Sequence, residues 1–436
     1  MESKWMLYTK RADFEKISAR FHISPVLARI IINRDIKEED FLLYLKSDLS
    51  LMHDAGSLYG VEDAYNEIMS EIKKGNKIRV VGDYDIDGVC SSYILVKSLK
   101  RFGADADVRI PDRIKDGYGI NDNIINEAAN DKISMIITCD NGIAAHSQME
   151  LARKLGIKVI ITDHHEVYQE EGKDYLPVAD VVINPKRSEC KYPFKSICGA
   201  LVAYKLMEYM FERLYGKKMY EDGELSDLLE VAAIATIGDV MPLVDENRVL
   251  VKHGLKSLMN TKNLGLRALI KATGMEGKKI SAYSIGFVIG PCLNAGGRLE
   301  NALVALNMFM SKNSDEANEY AMHLKELNDE RKDLTAMNVK VAVELAEREY
   351  VDDDILVIYL ENCHESIAGI IAGRVREALG KPTIILTDAF GEDGMIKGSG
   401  RSIESYNMFE ALYEVKDIFE KFGGHHMAAG MSLKKD

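Results

Sequence analysis

Residues 77–88, KIRVVGDYDIDG, decide the fold, because a strand-like apolar run ends at Asp83 and opens into an acidic loop. Two later runs also finish on a carboxylate, residues 134–140 (SMIITCD) and residues 158–163 (KVIITD). Helical stretches separate the three runs, and this alternation predicts an α/β fold with a doubly wound parallel sheet. In such a sheet, ligands bind beyond the carboxyl ends of the strands. The acidic ends are therefore expected to meet at one edge.

The side chains that follow these runs are typical of a divalent-metal site: Asp83, Asp85, Asp87, Asp140, Asp163, His164 and His165. Carboxylates gathered at one edge repel each other unless cations neutralise them. Asp239 follows a nearly apolar helical stretch and needs a partner or a metal. Oxygen and imidazole ligands without thiolates suit Mn²⁺ or Mg²⁺ better than structural Zn²⁺.

Each acid also has a simpler explanation. Asp85 and Asp87 could belong to an ordinary acidic turn, and Asp83 could be a ligand or an acceptor behind the ligands. Asp140 could merely cap the next helix, and Asp163 could do the same beside surface histidines. The convergence of several strand ends favours the metal site.

Length and composition indicate a globular protein of two or three domains, with 436 residues and 47% hydrophobic side chains. No apolar stretch approaches the ~20 residues of a membrane helix, and the first residues lack the apolar core of a secretory signal. We therefore predict a cytoplasmic protein. The net charge of -13 counts against a nonspecific nucleic-acid coat protein, although a metal-binding acid cluster contributes to it. Six scattered cysteines argue against a zinc ribbon and a disulfide framework.

The pattern predicts four segments: an N-terminal helical region (1–75), a larger α/β domain (76–311), a connector (312–350) and a smaller α/β domain (351–436). The connector contains neither Gly nor Pro, so it is one continuous helix of ~55 Å or two helices broken near Asn328-Asp329. In the last segment, glycine-rich stretches at 398–402 and 423–426 could bind phosphate through backbone N–H groups and an arginine, or could be ordinary hairpin turns.

Ordered motifs along nearly the whole chain resemble the DHH phosphoesterases, and most closely the RecJ single-stranded-DNA exonucleases. The motifs are GDYDIDG (82–88), PDR…GYGIN (111–121), CDNG (139–142), TDHHE (162–166), GDVMPL (238–243), LNAGGRLENA (293–302), GSGRS (398–402) and GGHHMAAG (423–430). The resemblance implies a DHH catalytic domain, a long connecting helix and a smaller α/β DHH-associated domain, with the substrate bound between the two domains.

The resemblance also implies residue roles. Two Mn²⁺ or Mg²⁺ ions would be held by Asp85, Asp87, Asp140, His164 and Asp239, with Asp140 bridging them and Asp83 as a further candidate ligand. His165 would contact the scissile phosphate, and Asp163 would orient the site from behind. Phosphates near the 5′ end would be bound by Arg113, Ser399 and Arg401, while Arg298 and His425 would line the path of the strand.

The implied activity is metal-dependent, stepwise 5′→3′ hydrolysis of single-stranded DNA to mononucleotides in DNA repair and recombination. Single-strand-binding protein and a helicase are the expected protein partners. Two alternatives stay open: a small-substrate phosphoesterase acting on short oligoribonucleotides, nucleotide phosphates or cyclic dinucleotides, and a non-catalytic replication-scaffold relative.

Two features depart from the family pattern. RecJ proteins usually carry an OB-fold after the GGH motif, whereas this sequence continues only to Asp436. Residues 363–366 (CHES) stand where the family tends to have a tryptophan-histidine pair and small residues. Glu365 is therefore expected near the path of the DNA, where an acid would disfavour binding.

Overall fold

The computed structural model describes residues 6–7, 10–46, 48–391 and 394–435. The described residues form two compact units. The first unit comprises positions 1–111, 118–290 and 308–317, and the second comprises 112–117, 291–307 and 318–436. Within the described residues, every helix is too short or too polar to cross a membrane.

The first unit begins with four helices and continues with alternating strands and helices. In chain order its elements are α1 (Phe14–Phe21), α2 (Pro25–Asn33), α3 (Phe41–Lys46), α4 (Val61–Lys74), β1 (Lys77–Val81), α5 (Ile86–Arg101), β2 (Asp105–Arg109), α6 (Asp122–Asn130), β3 (Met135–Cys139), α7 (His146–Lys154), β4 (Lys158–Thr162), β5 (Gln169–Glu170), β6 (Lys173–Asp174), β7 (Val181–Ile183), α8 (Gly199–Tyr215), α9 (Leu228–Gly238), α10 (Asp245–Leu258), α11 (Leu264–Ala272) and α12 (Ala282–Ser284).

The main sheet of this unit is parallel and five-stranded, in the order β2-β1-β3-β4-β7. The chain leaves β1 for β2 on one side and then returns past β1 to form β3 on the other side. The direction of winding therefore reverses between β1 and β3, which creates a crevice at their carboxyl ends. The predicted α/β class and doubly wound parallel sheet are confirmed.

The register places the acidic strand ends side by side. Val81 of β1 pairs with Thr138 of β3, and Cys139 pairs with Thr162 of β4. Asp140 and Asp163 directly follow β3 and β4, while the acidic loop follows β1. The predicted meeting of acids at one sheet edge is therefore observed, and it lies at the reversal point.

Helix α9 is buried along residues 228–236, as its sequence predicts, because it has apolar side chains on all sides. Its neighbour α10 approaches it closely through Gly254, where an added Cβ would lie 2.3 Å from the Cβ of Ala233. Only a residue without a side chain permits this spacing. The packing fixes the end of α9, where Asp239 is the C-terminal capping residue.

A buried lysine attaches the segment before α4 to this unit. The side chain of Lys205 in α8 is fully buried, and its Nζ donates to the carbonyl oxygen of His53 at 2.6 Å. The same ammonium lies 3.2 Å from Glu208 and 3.4 Å from Glu246, which neutralise it. Nε2 of His53 in turn lies 2.7 Å from Oδ1 of Asp245.

The His53–Asp245 pair is expected to stabilise this attachment most strongly at mildly acidic pH. The hydrogen bond with Asp245 raises the pKa of His53; burial alone would raise the pKa of Asp245, but the bond and charge of His53 lower it. The contribution of His53 is complete below its unfolded pKa of about 6.5 and is lost as the pH rises through its raised folded value. The contribution of Asp245 is lost only as the pH falls through its lowered folded value. We expect a coupling of about 0.5–1 kcal/mol at pH near 6, and less near pH 9.

This expectation can be measured with a thermal-unfolding double-mutant cycle of His53→Gln, Asp245→Asn and the double variant. Both wild-type and variant proteins titrate their other acids alike, so those contributions cancel in the cycle. A coupling that grows between pH 6 and pH 9 would contradict the assignment.

The remaining helices and strands are α13 (Gly290–Leu299), α14 (Leu303–Met310), α15 (Ser314–Glu349), β8 (Leu356–Tyr359), α16 (Ala368–Leu379), β9 (Thr383–Asp388), β10 (Met395–Arg401), α17 (Met408–Glu414), β11 (Lys421–His425) and β12 (Ala428–Lys434). A π-helical turn at Ile285–Ile289 links α12 to α13. Helix α15 is continuous over 36 residues, so the unbroken alternative for the connector is the observed one.

The sheet of the second unit is mixed, in the order β11-β12-β10-β9-β8, with β8 and β9 parallel and the other neighbours antiparallel. Ser399 and Arg401 lie within strand β10, which spans Met395–Arg401. Gly423 to His425 lie within strand β11, so the interpretation of the second glycine-rich stretch as a turn is wrong. Glycines suit these strands because a Cβ at Gly398 would lie 2.5 Å from the Leu386 side chain in β9.

All six cysteines lie among the described residues, and each is a buried free thiol. Burial raises the pKa of Cys90 and Cys198 well above the ordinary value. Burial also raises the pKa of Cys292 and Cys363 to about 11. These side chains act as small apolar residues.

Candidate metal centre and phosphate-binding residues

The acidic loop after β1 is held by two helix N-termini. Asp85 caps α5, and its Oδ1 accepts from the N–H groups of Asp87 and Gly88. Asp87 is buried and accepts from Gly199 N at 2.6 Å and Ala200 N at 2.8 Å, at the start of α8. The positive end of a helix dipole stabilises a carboxylate at this position.

Asp140 is buried, and its backbone adopts the left-handed conformation, with a φ of 60°. Its peptide is fixed by Asn141, whose Nδ2 donates to the carbonyl oxygens of Val81 and Cys139. Gly199 makes room for it, because a Cβ there would lie 2.8 Å from the Asp140 Cβ. The strand end, the turn and the α8 N-terminus together aim this carboxylate into the crevice.

The two histidines after β4 point to different partners. Nε2 of His164 lies 3.2 Å from Asp140, 3.5 Å from Asp87 and 3.7 Å from Asp239. Nδ1 of His165 lies 2.7 Å from Oδ1 of Asp163. Asp163 also accepts from the backbone N–H groups of Ile143, His164 and His165, so both of its oxygens are engaged. Asp163 therefore positions His165, and His164 faces the carboxylates.

The crowding of carboxylates changes their protonation. Burial and the charges of Asp87 and Asp85 raise the pKa of Asp140 well above its ordinary value, and they raise that of Asp239 to about 8. Burial alone would raise the pKa of Asp163, but its bond with His165 lowers it. Burial lowers the pKa of His164; it would lower that of His165 too, but the bond with Asp163 raises it.

Three overlapping groups of side chains have ligand atoms within 4.8 Å of one another: Asp83, Asp85 and Asp140; Asp87, His164 and Asp239; and Asp140, His164 and His165. Among the described residues, no hydrogen-bond partner is found for buried Oδ1 of Asp140 or buried Nδ1 of His164. Carboxylates that raise each other's pKa are the donors that a hard divalent cation neutralises. The residues present therefore fit divalent cations, and Asp140 belongs to two of the groups.

Two contributors to this centre received no role from the sequence. Tyr118 donates through its hydroxyl to the carbonyl oxygen of Asp140 at 2.9 Å, and this hydroxyl lies 3.4 Å from Nε2 of His165. The N–H groups of Gly199 and Ala200 hold Asp87. The small residues that begin the apolar helix α8 are the sequence signal that could have identified this second feature.

In the second unit, Ser399 and Arg401 lie on one face of β10 beside the start of α16. Arg401 Nη1 donates to Oγ of Ser399 at 3.1 Å. A Cβ added at Gly369, the second residue of α16, would lie 2.7 Å from Arg401 Nη2 and 2.8 Å from Ser399 Oγ. A 3₁₀ turn at Glu365–Ile367 leads into α16 and is capped by the His364 side chain, and this end of the helix contributes the positive end of the helix dipole.

The other predicted substrate residues also belong to this unit. Arg298 Nη1 donates to the carbonyl oxygen of Ser366 at 2.8 Å, just before α16. Burial lowers the pKa of His364, and the positive charge of Arg113 lowers it further. His425 lies two strands from Arg401, because both residues pair with Ala428 of the intervening β12. Arg298, Ser399 and Arg401 thus border the start of α16, and His425 lies at the same level of the sheet as Arg401.

Glu365 is neutralised by its own surroundings. Its carboxylate accepts from Phe390 N at 3.0 Å and from Lys397 Nζ at 3.2 Å. Its side chain is only 11% exposed. The acid that departs from the family pattern is therefore paired with a cation and mostly hidden from solvent.

Replacing Gly369 with alanine is expected to weaken phosphate binding by about 10-fold, because the new Cβ displaces the Arg401 guanidinium and one charge-assisted hydrogen bond is lost. Gly373→Ala is the matched control in the same helix, since its Cβ would meet Arg401 Cγ at an ordinary 3.9 Å. Each substitution of glycine by alanine raises the intrinsic helix propensity by the same ~1 kcal/mol, so this effect does not distinguish the two variants. Binding of a 5′-phosphorylated oligonucleotide measures the effect, and equal affinities of the two variants would refute it.

Comparisons with known proteins agree with this geometry. The DHH family, N-terminal domain, matches residues 77–236, and the DHHA1 domain matches residues 352–436. The single-stranded-DNA-specific exonuclease RecJ of Bacillus subtilis (strain 168) is 37% identical over 441 residues, which cover 100% of this chain and 54% of that protein. The chain thus spans about half the length of this relative.

The single-stranded-DNA-specific exonuclease RecJ of Escherichia coli (strain K12) is 34% identical over 429 residues, covering 95% of this chain and 73% of that protein. The crystal structure of RecJ in complex with Mn²⁺ from Thermus thermophilus superposes with a TM-score of 0.80 at 29% identity, covering 97% of this chain and 58% of that one. The chain therefore belongs to the RecJ family, with a DHH domain and a DHHA1 domain.

Proposed function

We propose that this protein is a metal-dependent exonuclease that hydrolyses single-stranded DNA from the 5′ end to mononucleotides. The observation that carries the proposal is the crevice in which Asp140 is shared by two groups of potential metal ligands. RecJ relatives named single-stranded-DNA-specific exonucleases, and a RecJ structure in complex with Mn²⁺, support the substrate and the cation.

Two divalent cations, Mn²⁺ or Mg²⁺, would be held by Asp83, Asp85, Asp87, Asp140, His164 and Asp239. When bound, such a pair activates water and stabilises the charge that develops on phosphorus. Asp163 accepts from Nδ1 of His165 and so presents Nε2 to the scissile phosphate. A proton held at Nε2 would donate to a phosphate oxygen in place of the Tyr118 hydroxyl, which lies 3.4 Å from this nitrogen.

Recognition of the 5′ end is assigned to the second unit. Arg401 and Ser399, beside the start of α16, would bind the terminal phosphate together with Arg113. Arg298 and His425 would contact the following part of the strand. Phosphate contacts of this kind position the strand without reading its sequence.

A cytoplasmic role in DNA repair and recombination, beside single-strand-binding protein and a helicase, is part of the same proposal. The support for it is membership of the RecJ family, whose curated relatives are named for their action on single-stranded DNA. These two partners are proposed because the chain belongs to the RecJ family.

The test uses a 5′-phosphorylated DNA strand labelled at its 3′ end, with Mn²⁺ and purified protein. We expect the labelled strand to shorten stepwise, mononucleotides to accumulate, and chelation by EDTA to stop both processes. A matched blunt duplex is expected to remain intact. Cleavage restricted to di- or tri-ribonucleotides would instead indicate the small-substrate alternative, and intact substrates throughout would indicate a scaffold.

A further inference from the structure

Two large aromatic rings are exposed on the first unit, in the segment before α13. Tyr283 and Phe287 are each 67% exposed. Their ring centroids lie 4.8 Å apart with an interplanar angle of 26°, so the rings are stacked on one another. Large aromatic rings are usually buried, because removing their apolar surface from water stabilises a fold. An exposed stacked pair is therefore a surface that a ligand can cover.

The segment that carries the rings packs against the metal centre. Phe287 belongs to the π-helical turn Ile285–Ile289, a rare conformation that is frequent at functional sites. A Cβ at Gly286 would lie 3.9 Å from Ile237 of α9, the helix that ends at Asp239. A Cβ at Gly290 would lie 3.3 Å from Ile86, which lies between Asp85 and Asp87. The ring pair is thus anchored to the two elements that supply metal ligands.

The chain around the rings is basic, although the whole protein is acidic. Residues 261–290 contain a single acid and five basic residues: Lys262, Arg267, Lys271, Lys278 and Lys279. The net charge of the chain is -13. Lys278 and Lys279 are exposed and lie only four or five positions before Tyr283. Exposed aromatic rings beside cations are the combination with which proteins bind single strands, whose bases stack on the rings while phosphates meet the cations.

We propose that Tyr283 and Phe287 form a base-stacking platform for single-stranded DNA, separate from the metal ligands and from the phosphate-binding residues of the second unit. This inference rests on the proposed function, because it assigns a further contact to the same substrate. A base adds a third plane to the existing ring stack, and Lys278 and Lys279 contact the adjacent phosphates. Such a platform binds every base, since all bases present a π-face.

The test compares wild type with Tyr283→Ala/Phe287→Ala, using fluorescein-labelled oligothymidylate in EDTA so that the DNA is not hydrolysed. We expect the double variant to bind about 10-fold more weakly. An oligonucleotide of the same length with abasic positions is expected to bind both proteins equally, because only bases can stack. Lys278→Ala/Lys279→Ala is expected to lower the slope of log affinity against log salt by about 1.4.

Two controls separate stacking from misfolding. Tyr283→Phe/Phe287→Tyr keeps both rings and is expected to restore the affinity. Tyr413→Ala removes an aromatic ring that is 53% exposed in the second unit, and it is expected to bind like wild type. Equal binding of the oligothymidylate by wild type and Tyr283→Ala/Phe287→Ala would overturn the platform. This is also the result expected if the rings bind a partner protein instead of DNA. Wild type that neither binds nor degrades single-stranded DNA would refute the proposed function itself.

Discussion

Replacing Asp140 with asparagine is expected to reduce the rate of single-stranded DNA hydrolysis by about 10³-fold or more, equivalent to ~4 kcal/mol of transition-state stabilisation. Asp140 belongs to two of the three potential ligand groups, so its loss removes a carboxylate from more than one set of potential ligands. Asparagine is the informative substitution because Asp140 has a φ of 60°, a conformation that asparagine tolerates and alanine does not. The backbone is thereby preserved while the charge is removed.

Thermal stability provides a second readout for the same variant. Without divalent cations, removal of one of several mutually repelling carboxylates is expected to raise the melting temperature. With Mn²⁺, wild type gains stability from binding and the variant gains much less. Asp105→Asn, at an exposed position of β2, is the matched control and is expected to behave like wild type. Unchanged hydrolysis by Asp140→Asn would remove the metal assignment.

Replacing Arg401 with alanine is expected to lower kcat/KM by about 10- to 100-fold for strands that carry a 5′ phosphate. The guanidinium contacts Ser399 beside the start of α16, where a phosphate would receive a charge-assisted hydrogen bond. Arg401→Lys keeps the charge but lacks the two-pronged donor geometry, so it is expected to restore only part of the activity.

The diagnostic measurement is the ratio of kcat/KM for 5′-phosphorylated and 5′-hydroxyl strands. Wild type is expected to prefer the phosphorylated strand, and Arg401→Ala is expected to lose the preference because it acts on that phosphate alone. Arg348→Ala removes an arginine that is 70% exposed on α15 and serves as the control. An equal loss of activity on both strands would show that Arg401 has a structural role instead.

The acidic ends of the strands were predictable because strand periodicity and chain order determine which edge they share. The sheet and the convergence of Asp85, Asp140 and His164 follow from that reasoning. The continuous connector helix was one of two alternatives that the absence of Gly and Pro left open. The resemblance supplied the grouping of distant residues such as Asp239 and Arg298, which no local pattern can provide. The assigned roles remain proposals that the variants above test.

Other features depend on packing that a sequence pattern does not encode. Strand β11 was missed because its glycines are typical of turns, and only pairing with β12 reveals it as a strand. The hydrogen bond from Gly199 N to Asp87 joins residues more than a hundred positions apart. It requires the N-terminus of α8 to lie beside the loop that follows β1. The neutralisation of Glu365 likewise depends on Lys397, which a neighbouring strand brings near.

The burial of every cysteine has a consequence for the conditions under which the protein works. Peroxide attacks the thiolate, and its access to buried sulfur is poor. Because burial keeps Cys90, Cys198, Cys292 and Cys363 protonated at neutral pH, oxidative stress is expected to leave these side chains intact.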